Sequence, residues 1–346
     1  MRRGALCCFR FGLVLAVLFS CAASWAQEAT TVYVEGEVSR KDAGGVLRRL
    51  DFGDALGAGD SVITRRSGRA ELELPNRSSI TVRPDTVFTL GEAELAGGAR
   101  QSVLTTAAGS VAYKLNKFGA SPPLIRTGSM VAGVRGTGLE VFAGMDGSSL
   151  VVVTEGRVDL TAQGKTVSLG TNEAVEVQAG DAPGEKYAWL GKERDFSAWN
   201  AAKMDDFLKN PVEGIRRVEK QLAYFRDEMM GIMPEYEKLT QESKQTAAEF
   251  QRLRTAGETE KAKEVQNYLI NDLNPRWSTL LLNIRYYALS YLSMRRFVMG
   301  GMYAEMKSRY ILNQDDPVFE GFFEIYKDIC NDYETIIVPQ LVEADI

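Results

Sequence analysis

The sequence has 346 residues, of which 45% are hydrophobic and 25% are charged. That length is about twice the ~150 residues typical of one domain, and the composition is too apolar for a disordered chain. The formal charge of −5 does not favour a nucleic-acid-binding surface. Histidine is absent, which excludes histidine-based catalytic triads and imidazole zinc sites.

Residues 1–26 are predicted to be an export signal. Arginines precede an uncharged apolar run at 11–19 (FGLVLAVLF), which is too short to span a bilayer comfortably. Small residues then predict cleavage after Ala26. A second interpretation is that residues 18–21 (LFSC) resemble a lipobox, in which Cys21 would carry a lipid anchor. In both cases we expect a periplasmic protein that touches the membrane only through such an anchor.

The segment 27–190 is predicted to form an all-β domain. Apolar and polar residues alternate in short runs such as 70–74 and 174–177, and each run is bounded by Gly, Asn, Asp or Pro. This pattern is typical of consecutive half-buried strands joined by tight turns.

A weak internal repeat runs through this β segment. A small or acidic residue, a glycine, a polar residue and a valine recur at 35–38, 108–111 and 155–158. Glycine at the same place in successive strands predicts similar corners, as in a β-solenoid or roll in which each rung buries its neighbour. Because the spacing is irregular, a sandwich is the alternative.

The segment 191–346 is predicted to form an all-α helical bundle. Its first helix has apolar residues spaced three and four apart, which places them on one helical face: Ile215, Val218, Leu222, Phe225 and Met229. Similar patterns continue toward residue 337. Cys330 is the one cysteine beyond the predicted signal, so we expect no internal disulfide and a buried, unreactive thiol.

Several motifs follow one another in the middle of the β segment. An Ile-x-Thr strand ends at Thr127, a Val-Arg-Gly-Thr turn spans 134–137, a Glu-Gly-x-Val strand spans 155–158, and a glycine-bounded strand follows. This order resembles the FecR domain, and the likeness covers about residues 30–180. The resemblance implies an extracytoplasmic, β-solenoid-like module, which in founding members passes an outer-membrane iron-siderophore signal to a sigma factor.

The chain departs from that family where the sigma-factor function lies. Only about ten residues precede the apolar run, whereas founding members carry a cytoplasmic sigma-binding segment before one membrane helix. The chain also ends in helices and lacks the small α/β signalling domain of those sensors. We therefore expect the module and its compartment to be retained and the anti-sigma role to be absent.

The motif residues are interpreted as structural. Gly133, Gly136 and Gly138, between two β runs, suit positions that need positive φ or a close backbone approach, and Gly156 belongs to the repeated glycine pattern. Arg135 can bind turn carbonyls or the carboxylate of Glu155 and so join two rungs, while Thr137 can cap the turn. The alternative is that Arg135 faces outward and holds an anionic ligand. Thr127 and Val158 complete the set of motif residues.

The sequence contains no signature of catalysis or of a cofactor. No Ser-x-x-Lys or Gly-x-Ser-x-Gly motif occurs, and the glycines at 133–138 have the wrong order for a nucleotide loop. The acidic pairs at 205–206 and 315–316 are interpreted as solvated charges. We expect no enzyme activity, no cofactor and no metal site.

The aromatic-rich last third suggests a surface for a partner. Core packing explains many of its rings, but a groove between helices is the alternative, with these residues at its edge: Arg285, Tyr286, Tyr291, Arg295 and Arg296. The predicted function is a non-catalytic envelope scaffold that binds an envelope protein. The alternative prediction is a peptidoglycan- or glycan-binding module.

Overall fold

The computed structural model describes residues 29–94, 100–116, 122–189 and 195–343. Its strands lie between Ala29 and Ala188, and its helices lie between Phe196 and Glu343. The predicted signal peptide and Cys21 fall outside the described residues. The domain boundaries after residues 26 and 190 therefore stay predictions.

The described part of the β region contains fifteen strands. They are β1 (Ala29–Glu35), β2 (Val38–Lys41), β3 (Leu47–Arg49), β4 (Ala55–Leu56), β5 (Ser61–Thr64), β6 (Arg69–Glu73), β7 (Ser79–Val82), β8 (Val87–Glu94), β9 (Arg100–Lys114), β10 (Leu124–Arg126), β11 (Val131–Ala143), β12 (Ser149–Ala162), β13 (Lys165–Gly170), β14 (Glu173–Val177) and β15 (Tyr187–Ala188).

The alternating pattern in the sequence becomes one buried face on these strands. In β5, β6 and β7 every second residue is buried. Because side chains i and i+2 point to the same side of a strand, the apolar set of each strand meets in one core. The largest side chains of that core include Leu72, Ile80, Phe88, Leu104 and Ile125.

Strand pairing closes this core into a barrel with extra strands attached. From β1 the path of pairs runs through β6 and β7 to β9, and from β9 it returns through β8 and β5 to β2. Only two residues separate β1 from β2, so the path ends where it began. The strands β11, β12, β13 and β14 continue the sheet outward from β9.

The predicted solenoid is wrong. In a solenoid successive rungs stack in parallel, whereas the pairs between the described strands are antiparallel apart from β9–β10. The physical reason is the short connections: a tight turn reverses the chain beside its own strand and so produces an antiparallel hairpin. The β12–β13 hairpin is an example, with positive φ at both central residues, Gln163 and Gly164.

The repeated glycines do form corners, as the internal repeat predicts. Gly36, Gly109 and Gly156 all have left-handed backbone, with φ of 67°, 95° and 81°. At each of them a strand changes its neighbour. At Gly36 the pairing partner changes from β6, which pairs with β1, to β5, which pairs with β2. At Gly109 the partner of β9 changes from β8 to β7, and at Gly156 the partner of β12 changes from β14 to β13.

Seven α-helices follow in the described part of the chain. They are α1 (Phe196–Lys209), α2 (Pro211–Thr255), α3 (Thr259–Tyr268), α4 (Asn274–Met294), α5 (Gly300–Arg309), α6 (Pro317–Asp332) and α7 (Val338–Glu343). Five-residue π-helical segments link α3 to α4, α4 to α5 and α6 to α7: Leu269–Leu273, Arg295–Met299 and Tyr333–Ile337. No helix in these ranges has the length and hydropathy needed to cross a membrane.

The helical region has the apolar face that the sequence predicts. All five predicted residues of α2 between Ile215 and Met229 are buried. They pack with residues of α4, α5 and α6 in a second core. Side-chain caps begin two of the helices: Asp195 accepts a hydrogen bond from the amide of Ser197, and Asp316 accepts one from the amide of Val318. Cys330 is half-buried and forms no disulfide.

We predict that Gly156→Ala destabilises the protein by about 3 kcal/mol or more. An added Cβ would lie 2.7 Å from the carbonyl oxygen of Gly136, a clash that adds to the ~1–2 kcal/mol cost of left-handed backbone for alanine. Gly164→Ala is the matched control, because φ is 70° there and no atom lies within 4 Å of the added Cβ. Urea unfolding should show the larger loss for Gly156→Ala, and equal losses would contradict a sterically closed corner.

Candidate binding site at the junction of strands and helices

Thr127 lies in a buried cluster of hydroxyl groups at the turn after β10. Its Oγ1 lies 2.6 Å from Ser149 Oγ, which lies 2.7 Å from Ser129 Oγ, at hydrogen-bonding distances. Thr127 Oγ1 also accepts hydrogen bonds from the amides of Ser129 and Met130. Since these groups are buried and bonded to one another, the first motif residue holds a turn and is not free to bind a ligand.

The other motif residues form the corner between β11 and β12. Gly136 has φ of 55°, and the register between the two strands shifts beside it. Thr137 is buried with its methyl group against Gly156, and Val158 faces the barrel core. Within the described structure Thr137 Oγ1 has no hydrogen-bond partner, so its hydroxyl does not make the predicted cap.

The predicted contact between Arg135 and Glu155 stays a prediction. The backbone of Arg135 pairs with Arg157, and the side chain of Arg135 lies outside the described part of the structure. Glu155 is exposed and pairs with Gly138.

The helices are fixed to the sheet by a small aromatic cluster on α1. The ring centres of Phe196 and Trp199 each lie 6.0 Å from that of Phe142 in β11. Three apolar residues of β12 and β14 complete this third core, namely Leu150, Val152 and Ala174. Both faces of β11 and β12 are therefore covered, one by the barrel core and the other by α1.

A half-buried carboxylate holds the same helix. Glu176 of β14 accepts a hydrogen bond of 3.1 Å from Trp199 Nε1 and an ion-paired bond of 2.6 Å from Lys203. Charge-assisted bonds of this kind are stronger than neutral ones, particularly where water is partly excluded. They set the rotation of α1 on the sheet.

A buried glutamine makes a further tie. Gln221 of α2 is 2% exposed, and its Oε1 accepts hydrogen bonds of 3.0 Å from the amide of Gly180 and from Gln163 Nε2. Because an unpaired amide in the interior would be costly, this residue fixes where α2 crosses the end of the sheet.

An arginine from the FecR-like motif packs directly on α4. The guanidinium carbon of Arg126 lies 3.3 Å from the ring centre of Tyr286, and Nε is buried without a hydrogen-bond partner among the described residues. Burial lowers the pKa of Arg126. Tyr287 adjoins Tyr286 at 4.8 Å and donates a hydrogen bond to Glu228. The cation–π contact therefore joins β10 to α4.

The five residues predicted for a partner surface divide into two groups. Arg285 and Arg296 are exposed. Tyr286 is covered by the guanidinium described above, and Tyr291 is 2% exposed with its ring stacked on Tyr333. The guanidinium carbon of Arg295 lies 4.3 Å from the centre of that same Tyr333 ring. Only the exposed pair is free to meet a partner.

The described structure includes two clefts, and the cations that line them are paired within the protein. A cleft of about 280 Å³ lies where α1 and α2 meet the sheet, and a groove of about 510 Å³ lies beside the β2–β3 hairpin. In the first cleft Lys203 pairs with Glu176 and Arg217 with Glu213, and in the second Arg40 pairs with Asp60 at 2.7 Å. No group of acidic or cysteine side chains in the described ranges is placed to hold a metal ion.

Arg126, Phe142 and Trp199 are functional positions that no sequence prediction above includes. A signal for Phe142 was available, because β11 and β12 carry consecutive apolar residues at 141–143 and 150–153. Such runs indicate strands that are covered on both faces. No local pattern pairs Arg126 with Tyr286, since 160 positions separate them.

Residues 60–159 match the family model described as FecR protein. The match contains every motif residue from Thr127 to Val158, and it confirms the resemblance stated from those motifs. A FecR domain fits a non-catalytic regulatory or binding module.

Solved structures resemble parts of the chain. Two are crystal structures of a proposed anti-sigma factor from Parabacteroides distasonis. The first is 19% identical with a TM-score of 0.32 and covers 40% of this chain and 63% of that one, so this chain spans less than two thirds of its length. The second is 17% identical with a TM-score of 0.30, and the match covers 46% of this chain and 73% of that one. A structure described as a cell surface anchoring domain is 21% identical with a TM-score of 0.18, and the match covers 18% of this chain and 83% of that one. No curated protein matches the chain.

We predict that Trp199→Ala lowers the free energy of unfolding by about 3–5 kcal/mol, the usual cost of removing a large buried aromatic side chain. The loss would arise at the sheet–helix junction, where the indole packs on Phe142 and bonds Glu176. Phe52→Ala is the control, because that ring is 76% exposed and its removal should change stability by less than about 0.5 kcal/mol. Similar urea midpoints for both variants would contradict the proposed docking of α1.

Proposed function

We propose that this chain is a non-catalytic, exported envelope protein that binds a partner protein through its helical region. The observation that carries the proposal is the fixed junction, in which α1, α2 and α4 are each tied to the FecR-like sheet by specific contacts. A helical region held in this way presents a preformed surface, which lowers the entropic cost of binding.

The paired charges beside the two clefts support binding over catalysis. Glu176 is occupied by Trp199 and Lys203, and Arg40 is occupied by Asp60. An acid–base catalyst needs a group that is free to exchange a proton with a substrate within a cleft. The carboxylates that line the first cleft are also engaged within the protein: Asp146 by Ser148, Asp206 by Lys209 and Glu213 by Arg217.

A protein partner is better supported than a glycan. The glycan alternative depended on the excess of aromatic residues in the last third of the chain. Several of those rings stack on one another, including Tyr303 on Tyr326 at 4.7 Å and Phe319 on Phe323 at 5.8 Å. A ring whose face is covered by another ring does not offer that face to a sugar.

We predict that the protein is recovered from the periplasm with its mature amino terminus at Gln27. Osmotic-shock fractionation and mass spectrometry of the amino-terminal peptide test this, with Cys21→Ser as the matched variant. Release of both forms supports cleavage after Ala26. Membrane retention that is lost in Cys21→Ser supports a lipoprotein instead. Recovery of the uncleaved chain from the cytoplasm would show that the proposed compartment is wrong.

We predict that the purified mature protein stays in the supernatant when peptidoglycan is sedimented, and that cross-linking in intact cells joins it to one envelope protein in stoichiometric amounts. Co-sedimentation without a protein cross-link would favour the glycan-binding alternative. Turnover of an envelope substrate that one carboxylate substitution abolishes would overturn a non-catalytic role.

A further inference from the structure

One helical segment has an unusual charge composition. Residues 273–304, which cover α4, the following π-helical segment and the start of α5, contain four arginines and no aspartate or glutamate. The chain as a whole has 46 acidic residues in 346, so about four would be expected in a stretch of this length. The segment has an ordinary number of cations, but without acidic residues it carries a local net charge of +4 in a protein of net negative charge.

Arg276 and Arg295 contact distant parts of the chain, and the guanidinium carbon of Arg296 lies 5.4 Å from the ring centre of its neighbour Phe297. Arg276 lies 3.6 Å from a carboxylate oxygen of Glu235, and Arg295 packs on Tyr333. Arg285 and Arg296 are exposed, and neither forms an ion pair with a described residue. Their positive charge is available to another molecule.

An exposed leucine lies between these two arginines. Leu289 is 57% exposed, four residues after Arg285 and seven before Arg296, and both spacings return to the same face of a helix. Leu282, three residues before Arg285, adds a half-buried apolar side chain to that face. At a rise of 1.5 Å per residue the two arginines lie about 16 Å apart along the axis.

We propose that this stripe along α4 and the following π-helical segment (Leu282, Arg285, Leu289 and Arg296) binds an acidic segment of a partner protein. An apolar side chain of the partner packs on Leu289, while carboxylates pair with the two guanidinium groups, which match carboxylate geometry in a bidentate manner. The proposal rests on the proposed function and deepens it, because it gives the partner a chemical character.

The stripe is better suited to a protein segment than to an anionic bilayer. Helices that lie on membranes carry a broad apolar face and many lysines or arginines. Here two exposed cations flank one strongly exposed leucine, which is a small and specific pattern. The Arg126–Tyr286 contact holds α4 against the sheet beside the stripe, so the pattern is presented in a fixed position.

The test places a photo-cross-linking amino acid at position 289 of the full chain in intact cells, with the same residue at Asn283 as control. Asn283 is also exposed but lies on another side of α4. We expect position 289 to label one protein, and mass spectrometry to place the adduct in a segment rich in aspartate or glutamate. Position 283 should give little or no adduct.

Charge variants then separate recognition from mere proximity. The double variant Arg285→Glu with Arg296→Glu should reduce the adduct at least tenfold, because it replaces attraction by repulsion. Arg285→Lys with Arg296→Lys should keep most of it. Thermal unfolding of both variants should match the parent, since neither arginine has an ion-pair partner within the described protein.

Three results would overturn the assignment of this stripe: an adduct with lipid alone, an adduct with a second copy of the same chain, or a protein adduct that charge reversal does not change. If general cross-linking still captures an envelope partner while position 289 gives no adduct, the proposed function stands and the binding surface lies elsewhere. If neither method captures a protein, both proposals fail.

Discussion

The structure depends on left-handed backbone at three glycines. Gly36, Gly109 and Gly156 each allow a strand to turn sharply and continue beside a new neighbour. A side chain at the second or third position would meet Thr86 or Gly136 at well under 3 Å. Because β9 and β12 bend in this way, the same strands both close the barrel and extend beyond it.

The extension creates the surface on which the helices pack. Beyond the barrel, β11 and β12 have a second apolar face, and α1 covers it with Phe196 and Trp199. The polar ties from Glu176 and Gln221 then determine where α1 and α2 sit. Apolar burial supplies most of the stabilisation, whereas the buried hydrogen bonds make one arrangement preferable to its neighbours. The helices are consequently a fixed part of the protein and not a tethered appendage.

This arrangement underlies the proposed binding function. The charges near the junction neutralise one another, and the aromatic rings of the last helices largely contact other rings. In α4 and the π-helical segment that follows it, Arg285 and Arg296 face solvent without an ion-pair partner among the described residues. An element that lacks acidic residues, in a chain that is otherwise acidic, keeps its cations free because no neighbouring carboxylate on the same helix competes for them.

Local patterns determined much of this protein. The two-residue period defined the strands, the three-and-four spacing defined the buried face of α2, and the motifs from Thr127 to Val158 led to the FecR resemblance. The repeated glycines also indicated the corners, because positive φ is a local property of the backbone.

The tertiary structure decided how those corners are joined. A solenoid and an antiparallel barrel can share the same corner, and only long-range strand pairing distinguishes them. The tertiary structure also decided which aromatic rings are free to bind a partner. Tyrosine is common at interfaces, but here Tyr291 is covered by Tyr333 and Tyr286 is covered by Arg126, both from distant parts of the chain.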